Sequence, residues 1–282
     1  MPLSSLMLRA GFLIAACLAP LPVFAATPTA SPGETIVRQL PGADSVIYTL
    51  YPPNPMPKGK AGLVVHFYGT GGTHENYNIG RPPYAEMRRL LAERGYWIAV
   101  PNLGPLHWMN DAACASVDAL IAEMIKTEHV DPARVDLFGT SMGSASTLIY
   151  ITRRPGKIKA AVALFPITDF NQWLEEMPKY RAGIEKAYAI TPDQRETALR
   201  GLSPLQHLDA FRQTSLFLLH GDADMIVQPH HSRELAAALK GKGYPVIYRE
   251  APGLKHNDEI ARPYQQELAD FLTEANSSGG AL

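Results

Sequence analysis

Ser141 stands in the middle of Gly139-Thr140-Ser141-Met142-Gly143, directly after the apolar run Val135 to Phe138 and directly before a helical pattern starting near Ser144. A serine hydroxyl on a tight strand-to-helix turn is exposed for nucleophilic attack, and glycines two residues to either side allow the strained backbone and close packing that such a turn needs. A nucleophilic serine needs a base, and the base needs an orienting carboxylate. Of the nine histidines, His256 is the best placed: Gly253-Leu254-Lys255-His256-Asn257-Asp258 follows the last apolar strand pattern, so its side chain can return over the strand ends. His66 sits inside a strand, and His129 and His207 sit in polar connections. His230 and His231 open a helix, where neighbouring side chains point in different directions and chelate one ion poorly. No metal site and no cofactor is implied. For the acid, His220-Gly221-Asp222-Ala223-Asp224-Met225-Ile226-Val227 offers both Asp222 and Asp224, and the one not used is expected to close the turn on backbone N–H groups. Asp258, just ahead of the final helical pattern, is expected to be its N-cap.

The elements that must position these residues follow from periodicity. Thr35 to Leu40 and Ser45 to Tyr51 alternate and predict an antiparallel edge hairpin. From Ala61 onward, short apolar runs at Gly62–Phe67, Tyr96–Val100, Val135–Phe138, Ala160–Leu164, Leu216–Leu219 and Val246–Glu250 predict strands buried on both faces. Between them the 3.6-residue rhythm recurs at Tyr84 to Leu91, Val117 to Ile125, Ala145 to Ile149, Leu235 to Leu239 and Tyr264 to Leu272. Fold class is therefore α/β, a mostly parallel twisted sheet with helices on both faces. Thr168 to Ser203 is about three times a normal strand-to-helix connection and carries Phe170, Trp173, Tyr180 and Tyr188, so it is expected to form a small helical cap over the carboxyl ends of the strands. Trp173 and Trp108, the latter in the loop after Val100, are candidate walls of an apolar or sugar-stacking substrate pocket.

The chain order Ser141, Asp224, His256 resembles the α/β-hydrolase superfamily. More narrowly, Val130-Asp131-Pro132 through Gly143, then Phe165-Pro166-Ile167-Thr168-Asp169, then His220-Gly221-x-x-Asp224-x-x-Val227 resemble the single-domain relatives of prolyl oligopeptidases, dienelactone hydrolases and secreted esterases. The resemblance spans Ala61 to Leu272 and implies that Asp224 is the acid. The N–H of Met142 is the expected first oxyanion donor, because it heads the helix after the nucleophile. Where many relatives carry His-Gly, this chain has Tyr68-Gly69-Thr70-Gly71-Gly72, which leaves the second donor open between the Thr70 N–H and the Tyr68 hydroxyl. The glycine that often follows the nucleophile motif is replaced by Ser144.

The implied activity is cleavage of small carboxylic esters through an acyl-enzyme by a secreted or periplasmic serine hydrolase. A peptidase or aminoacyl hydrolase is the alternative, disfavoured because only about 35 residues separate Ala25 from Ala61, too few for the propeller that admits peptides to oligopeptidases. A further alternative is a binding module that keeps the fold without turnover.

Composition narrows the partners. The 282 residues, 46% of them hydrophobic and 19% charged, suffice for one large domain, expected over residues 26–275. Lys and Arg number 26 against 27 Asp and Glu, without a basic run, so nucleic acid is not an expected partner. Arg9 is the only charge in residues 1–25; an apolar run and Val23-Phe24-Ala25 follow, which reads as a signal peptide cleaved after Ala25, with no integral membrane segment remaining. A rival reading makes Ile14-Ala15-Ala16-Cys17 a lipobox, with Cys17 lipidated. Cleavage after Ala25 leaves Cys114 as the sole cysteine, and its helical stripe predicts a packing role. Residues 276–282 are expected to form a flexible tail.

Overall fold

The structure, a computed structural model, describes residues 34–42, 46–78 and 83–275; the expected signal peptide, the segment up to residue 33 and the tail from 276 lie outside the described residues. Eight strands form one sheet in the order β1-β2-β4-β3-β5-β6-β7-β8. β1 (Ile36–Gln39) and β2 (Ile47–Tyr51) make the antiparallel hairpin read from their alternation. β1 takes the edge, whereas β2 continues the sheet by pairing antiparallel with β4 (Tyr96–Pro101). β3 (Ala61–Phe67), β4, β5 (Val130–Thr140), β6 (Ala160–Leu164), β7 (Ser215–Gly221) and β8 (Val246–Ala251) are parallel.

Every residue of β3, β4 and β6 is buried, which explains why these strands are continuous apolar runs. Cover comes from both sides. α1 (Tyr84–Glu93) and α8 (Gln265–Glu274) are joined by the Arg94–Asp270 ion pair, while Asp118 of α2 (Asp111–Thr127) accepts from Tyr150 and Arg154 at the end of α3 (Met142–Arg153). α7 (His230–Gly241) packs on β7 and β8. The buried stripe of α1 is Tyr84, Met87, Leu90 and Leu91, and that of α2 is Cys114, Val117, Leu120 and Met124, as their spacing requires. Each such aliphatic side chain contributes about 1.5–3 kcal/mol by leaving water.

Two boundaries differ from the sequence reading. β5 extends back to Val130, because Asp131, Pro132, Ala133 and Arg134 continue the backbone path while burying no side chain fully; a register irregularity marks this stretch. Residues Asp258–Tyr264 form 3-10 turns containing Pro263, and the regular helix starts only at Gln265.

The chain leaves β3 for β4 on one side, then returns past β3 to place β5 on the other. A crevice therefore opens at the carboxyl ends of β3 and β5, the place where open α/β sheets bind ligands. Between β6 and β7 the long connection forms α4 (Phe170–Glu176), α5 (Arg181–Tyr188), α6 (Arg195–Leu202) and short 3-10 turns.

Candidate active site

The turn after β5 is held in an unusual shape. Ser141 has φ 53° and ψ −119°, a backbone state that costs a non-glycine residue energy and persists only where the surroundings dictate it. The surroundings here are two close approaches. A Cβ on Gly143 would lie 1.9 Å from the Phe67 carbonyl oxygen of β3, and one on Gly139 would lie 2.4 Å from the Gly143 oxygen. Ser144 supplies a further tie: its hydroxyl lies 2.7 Å from the Gly139 oxygen and 2.6 Å from the Leu164 oxygen, its proton shared between two buried carbonyls. A serine at that position therefore pins the first turn of α3 to the ends of β5 and β6.

His256 reaches this turn from the loop after β8. Its Nε2 lies 2.8 Å from Ser141 Oγ, and its Nδ1 lies 2.7 Å from Asp224 Oδ2. The ring packs against Phe165, with centroids 4.3 Å apart. Asp224 is buried in the loop after β7, and its Oδ1 accepts from the N–H groups of Ile226 and Val227 at 2.8 and 3.0 Å. Burial works against its ionisation, but hydrogen bonds with His220 and His256, the charge of His256 and the Ile226 N–H hold the carboxyl well below the usual carboxylate range. Three residues far apart in sequence are thus hydrogen-bonded in series.

The other aspartate does what the turn asks of it. Asp222 is exposed, and its Oδ1 accepts from the Gly253 N–H at 2.6 Å, tying the β7 loop to the His256 loop. His220 braces the same loop from below: fully buried, it joins Ser232 Oγ through Nδ1 at 2.7 Å and the Val227 oxygen through Nε2 at 2.8 Å. That second role was not read from the sequence; the His-Gly motif is its only signal.

Thr70 and Ser141 share the lining of one cleft, as does Gly69, whose Cβ position would be 3.3 Å from Ser141 Cβ. Met142 heads α3, so its N–H is among those a helix start leaves without an internal partner. Tyr68 is placed elsewhere. Its hydroxyl accepts from the Leu103 N–H at 3.1 Å and lies 3.2 Å from Asn102 Oδ1, so it is committed to the loop after β4 and does not line the cleft.

The cleft has a volume of about 440 Å³. Trp108, Trp173 and Tyr180 wall it, with Trp173 and Tyr180 stacked at 4.9 Å. The indole N–H of Trp173 donates to the Ile226 oxygen at 2.9 Å, linking α4 to the Asp224 loop. Both tryptophans are nearly fully buried, so packing and lining are combined in the same side chains. Asp258 also faces the cleft, where it accepts from the Tyr84 hydroxyl; the N-cap expected of it is instead Asn257, whose Oδ1 accepts from the Glu259 N–H at 3.0 Å.

Four further histidines lie away from Ser141. His66 is wholly buried among Tyr77, Tyr84 and Phe138, and burial pushes its imidazole down to about 3. His207 Nε2 lies 2.8 Å from the Gly201 oxygen. His230 and His231 do not diverge as expected: their ring centroids are 4.4 Å apart. Cys114 is free and buried, and burial raises its thiol, in keeping with a packing role.

Comparison with known proteins fits this geometry. A sequence model of the prolyl oligopeptidase family matches residues 110–277, more than half of the chain, and includes Ser141, Asp224 and His256. The chain belongs to the prolyl oligopeptidase family. Among solved structures of similar fold is a puromycin-hydrolyzing peptidase from Mycobacterium tuberculosis, 22% identical, with a TM-score of 0.72 over 89% of this chain and 41% of that one. Another is an S-formylglutathione hydrolase from Agrobacterium tumefaciens, 18% identical, with a TM-score of 0.70 over 88% of this chain and 97% of that one. The fold of this family member is accordingly that of α/β-hydrolases. Among curated proteins, the chain is similar to inactive dipeptidyl peptidase 10 of Rattus norvegicus, 25% identical over 158 residues, which make up 55% of this chain and 19% of that protein. It thus spans about a fifth of the length of the curated relatives it matches.

Proposed function

We propose that the chain is a serine hydrolase that cleaves carboxylic esters of small molecules by two-step acyl transfer. The observation that carries this reading is the unbroken series Ser141 Oγ, His256 Nε2, His256 Nδ1 and Asp224 Oδ2, with links of 2.8 and 2.7 Å. Ser141 attacks the ester carbonyl while His256 takes its proton; His256 then protonates the leaving alcohol, and water repeats the cycle on the acyl-enzyme. Asp224 fixes the imidazole tautomer, with Nδ1 protonated, and stabilises the imidazolium. The N–H groups of Met142 and Thr70 receive the oxyanion, since the Tyr68 hydroxyl is already engaged at Asn102 and Leu103. Trp108, Trp173 and Tyr180 favour a flat acyl or alcohol group, aromatic or sugar-like, in a cleft of drug-like size.

A second reading is favoured by one residue. Asp258 sets a carboxylate in the cleft two residues from His256, a suitable partner for the ammonium of an aminoacyl ester or amide. A non-catalytic binding role is the reading least compatible with a hydrogen-bonded series of this length. The test is direct: purified protein and its Ser141→Ala variant are treated with a fluorophosphonate probe and assayed against short-chain, aryl, sugar-acetyl and feruloyl esters and aminoacyl amides. We expect labelling of the parent alone and a loss of about 10⁴-fold or more in kcat in the variant. A folded Ser141→Ala protein with parental turnover would overturn the proposal, and a preference for aminoacyl amides that disappears in Asp258→Asn would select the second reading.

A further inference from the structure

Away from the cleft, a second cluster of polar side chains bridges the helical insertion and the α/β body. Glu176 is the last residue of α4, and His230 and His231 are the first two of α7. Each offers one ligand-type atom, and the three atoms lie within 4.8 Å of one another, the one such cluster among the described residues. His230 Nε2 is 2.7 Å from Glu176 Oε1, and His231 Nε2 is 3.7 Å from Glu176 Oε2. The second distance is too long for a hydrogen bond. Both atoms of that second pair are buried without a hydrogen-bond partner, and His231 as a residue is fully buried. A native fold rarely leaves two facing polar atoms unpaired, so the arrangement asks for something between them.

The outer contacts orient both rings toward that space. His230 Nδ1 lies 3.4 Å from Glu234 Oε1, one turn along α7, which leaves Nε2 turned toward Glu176. Thr168 spends its single hydroxyl proton on the His231 carbonyl oxygen at 2.9 Å, so its Oγ1, 3.3 Å from His231 Nδ1, is available to accept from that nitrogen whenever it carries the ring proton. The Thr168 N–H donates to the same nitrogen at 3.5 Å, and with Nδ1 accepting, a neutral ring carries its proton on Nε2, toward Glu176. Shifting that proton to Nδ1, where Thr168 Oγ1 can accept it, gives Nε2 a lone pair aimed at Glu176. This is the outer-shell pattern of histidine ligands, in which the distal ring nitrogen donates to a fixed acceptor and the proximal one is left for an ion.

We propose that Glu176, His230 and His231 bind one divalent transition-metal ion of the zinc class, which clamps the helical insertion to the body of the molecule. Two imidazoles and a carboxylate suit zinc, whose donors at about 2.0–2.2 Å in a tetrahedral site sit roughly 3.3 Å from each other. The separations of 2.7 and 3.7 Å bracket that spacing, so side-chain adjustment suffices. Binding displaces the proton shared by His230 and Glu176 to solvent. The ion enters from the half-open side formed by His230 and Glu176, and the fourth position goes to water or to Gln172, whose side-chain amide lies 3.5 Å from the His230 ring. Because α4 also carries Trp173, the ion would steady one wall of the cleft without touching Ser141, His256 or Asp224.

The full-length protein, stripped with chelator and dialysed, is titrated with Zn²⁺ and with Co²⁺, alongside Glu176→Gln and His230→Gln. These two positions are partly exposed, so the variants are expected to fold, whereas changing buried His231 risks the core. We expect one equivalent of Zn²⁺ to bind the parent, a rise in its melting temperature, visible absorption typical of four-coordinate Co²⁺, and affinity weakened about 10-fold or more in each variant. Failure of the parent to take up Zn²⁺ near stoichiometric concentration, or uptake unchanged in both variants, would overturn the site. Neither result depends on hydrolysis, so the outcome is independent of the proposed activity.

Discussion

Asp224 divides its two carboxylate oxygens between two tasks. Oδ1 is saturated by the Ile226 and Val227 N–H groups, which fix the carboxylate plane, and Oδ2 is thereby aimed at His256 Nδ1. In Asp224→Asn the backbone donors keep the amide oxygen on their side, so the NH₂ group faces His256 and forces the opposite tautomer. We expect a near-native structure with kcat lower by about 10⁴-fold, partly restored at high pH where the imidazole stays neutral more easily. The same residue should mark acid stability. Its folded pKa lies below its unfolded value, so its contribution is fully present above about pH 4 and is lost as pH falls through the depressed folded value. Acid unfolding followed by circular dichroism should therefore show a pH dependence below about pH 4 that is weaker in Asp224→Asn. Asp222→Asn is the control: exposed, and bonded only to the Gly253 N–H among its side-chain contacts described above, it should cost about 1 kcal/mol or less and keep kcat within a few-fold. A catalytic collapse in Asp222→Asn with an active Asp224→Asn would exchange their roles.

Strand, turn and helix act as one element around Ser141, because α3 approaches β3 so closely that no side chain fits at Gly143. In Gly143→Ala the new methyl meets the Phe67 backbone, so α3 must retreat and carry the Met142 N–H with it. We expect a loss of about 3 kcal/mol or more in urea unfolding together with loss of turnover. Gly201→Ala, in α6 with open space around it, should instead be neutral or stabilising by up to about 1 kcal/mol. Equal effects at the two glycines would show that close packing is not what the motif requires. This close packing was legible in the sequence as Gly-x-Ser-x-Gly after an apolar run, as were the all-buried strands, whose residues carry their environment in their own chemistry. Other features were not. The first half of β5 is hidden because Pro132 and its exposed or half-buried neighbours lie in a register irregularity and show no buried apolar pattern, and the Tyr68 hydroxyl could be placed only once the path of the 102–104 loop was known. The facing of Glu176 with His230 and His231 depends on a helix more than fifty residues away in the chain, and adjacency in sequence alone argued against it.

At the scale of the whole molecule, the described sheet begins at Ile36, so cleavage after Ala25 removes no residue of any described strand. No helix among the described residues is long and apolar enough to cross a membrane. Removal of residues 1–25 takes Cys17 with it and leaves Cys114 alone, buried beside Met109 and Arg153, with no second thiol to pair with. We propose that the chain is exported, and in an oxidising compartment it would rely on its packed sheet and helices rather than on an internal disulfide. Export leads to two linked expectations. After expression of the full chain in a bacterial host, N-terminal sequencing of the periplasmic or secreted protein should begin at Ala26, and the melting temperature of that mature protein should be indifferent to reductant. A lipid-modified start at Cys17 would replace cleavage after Ala25 with membrane anchoring, and recovery of the intact chain from Met1 in the cytoplasm would overturn export altogether, since an uncleaved apolar segment would then have to be accommodated by the folded protein.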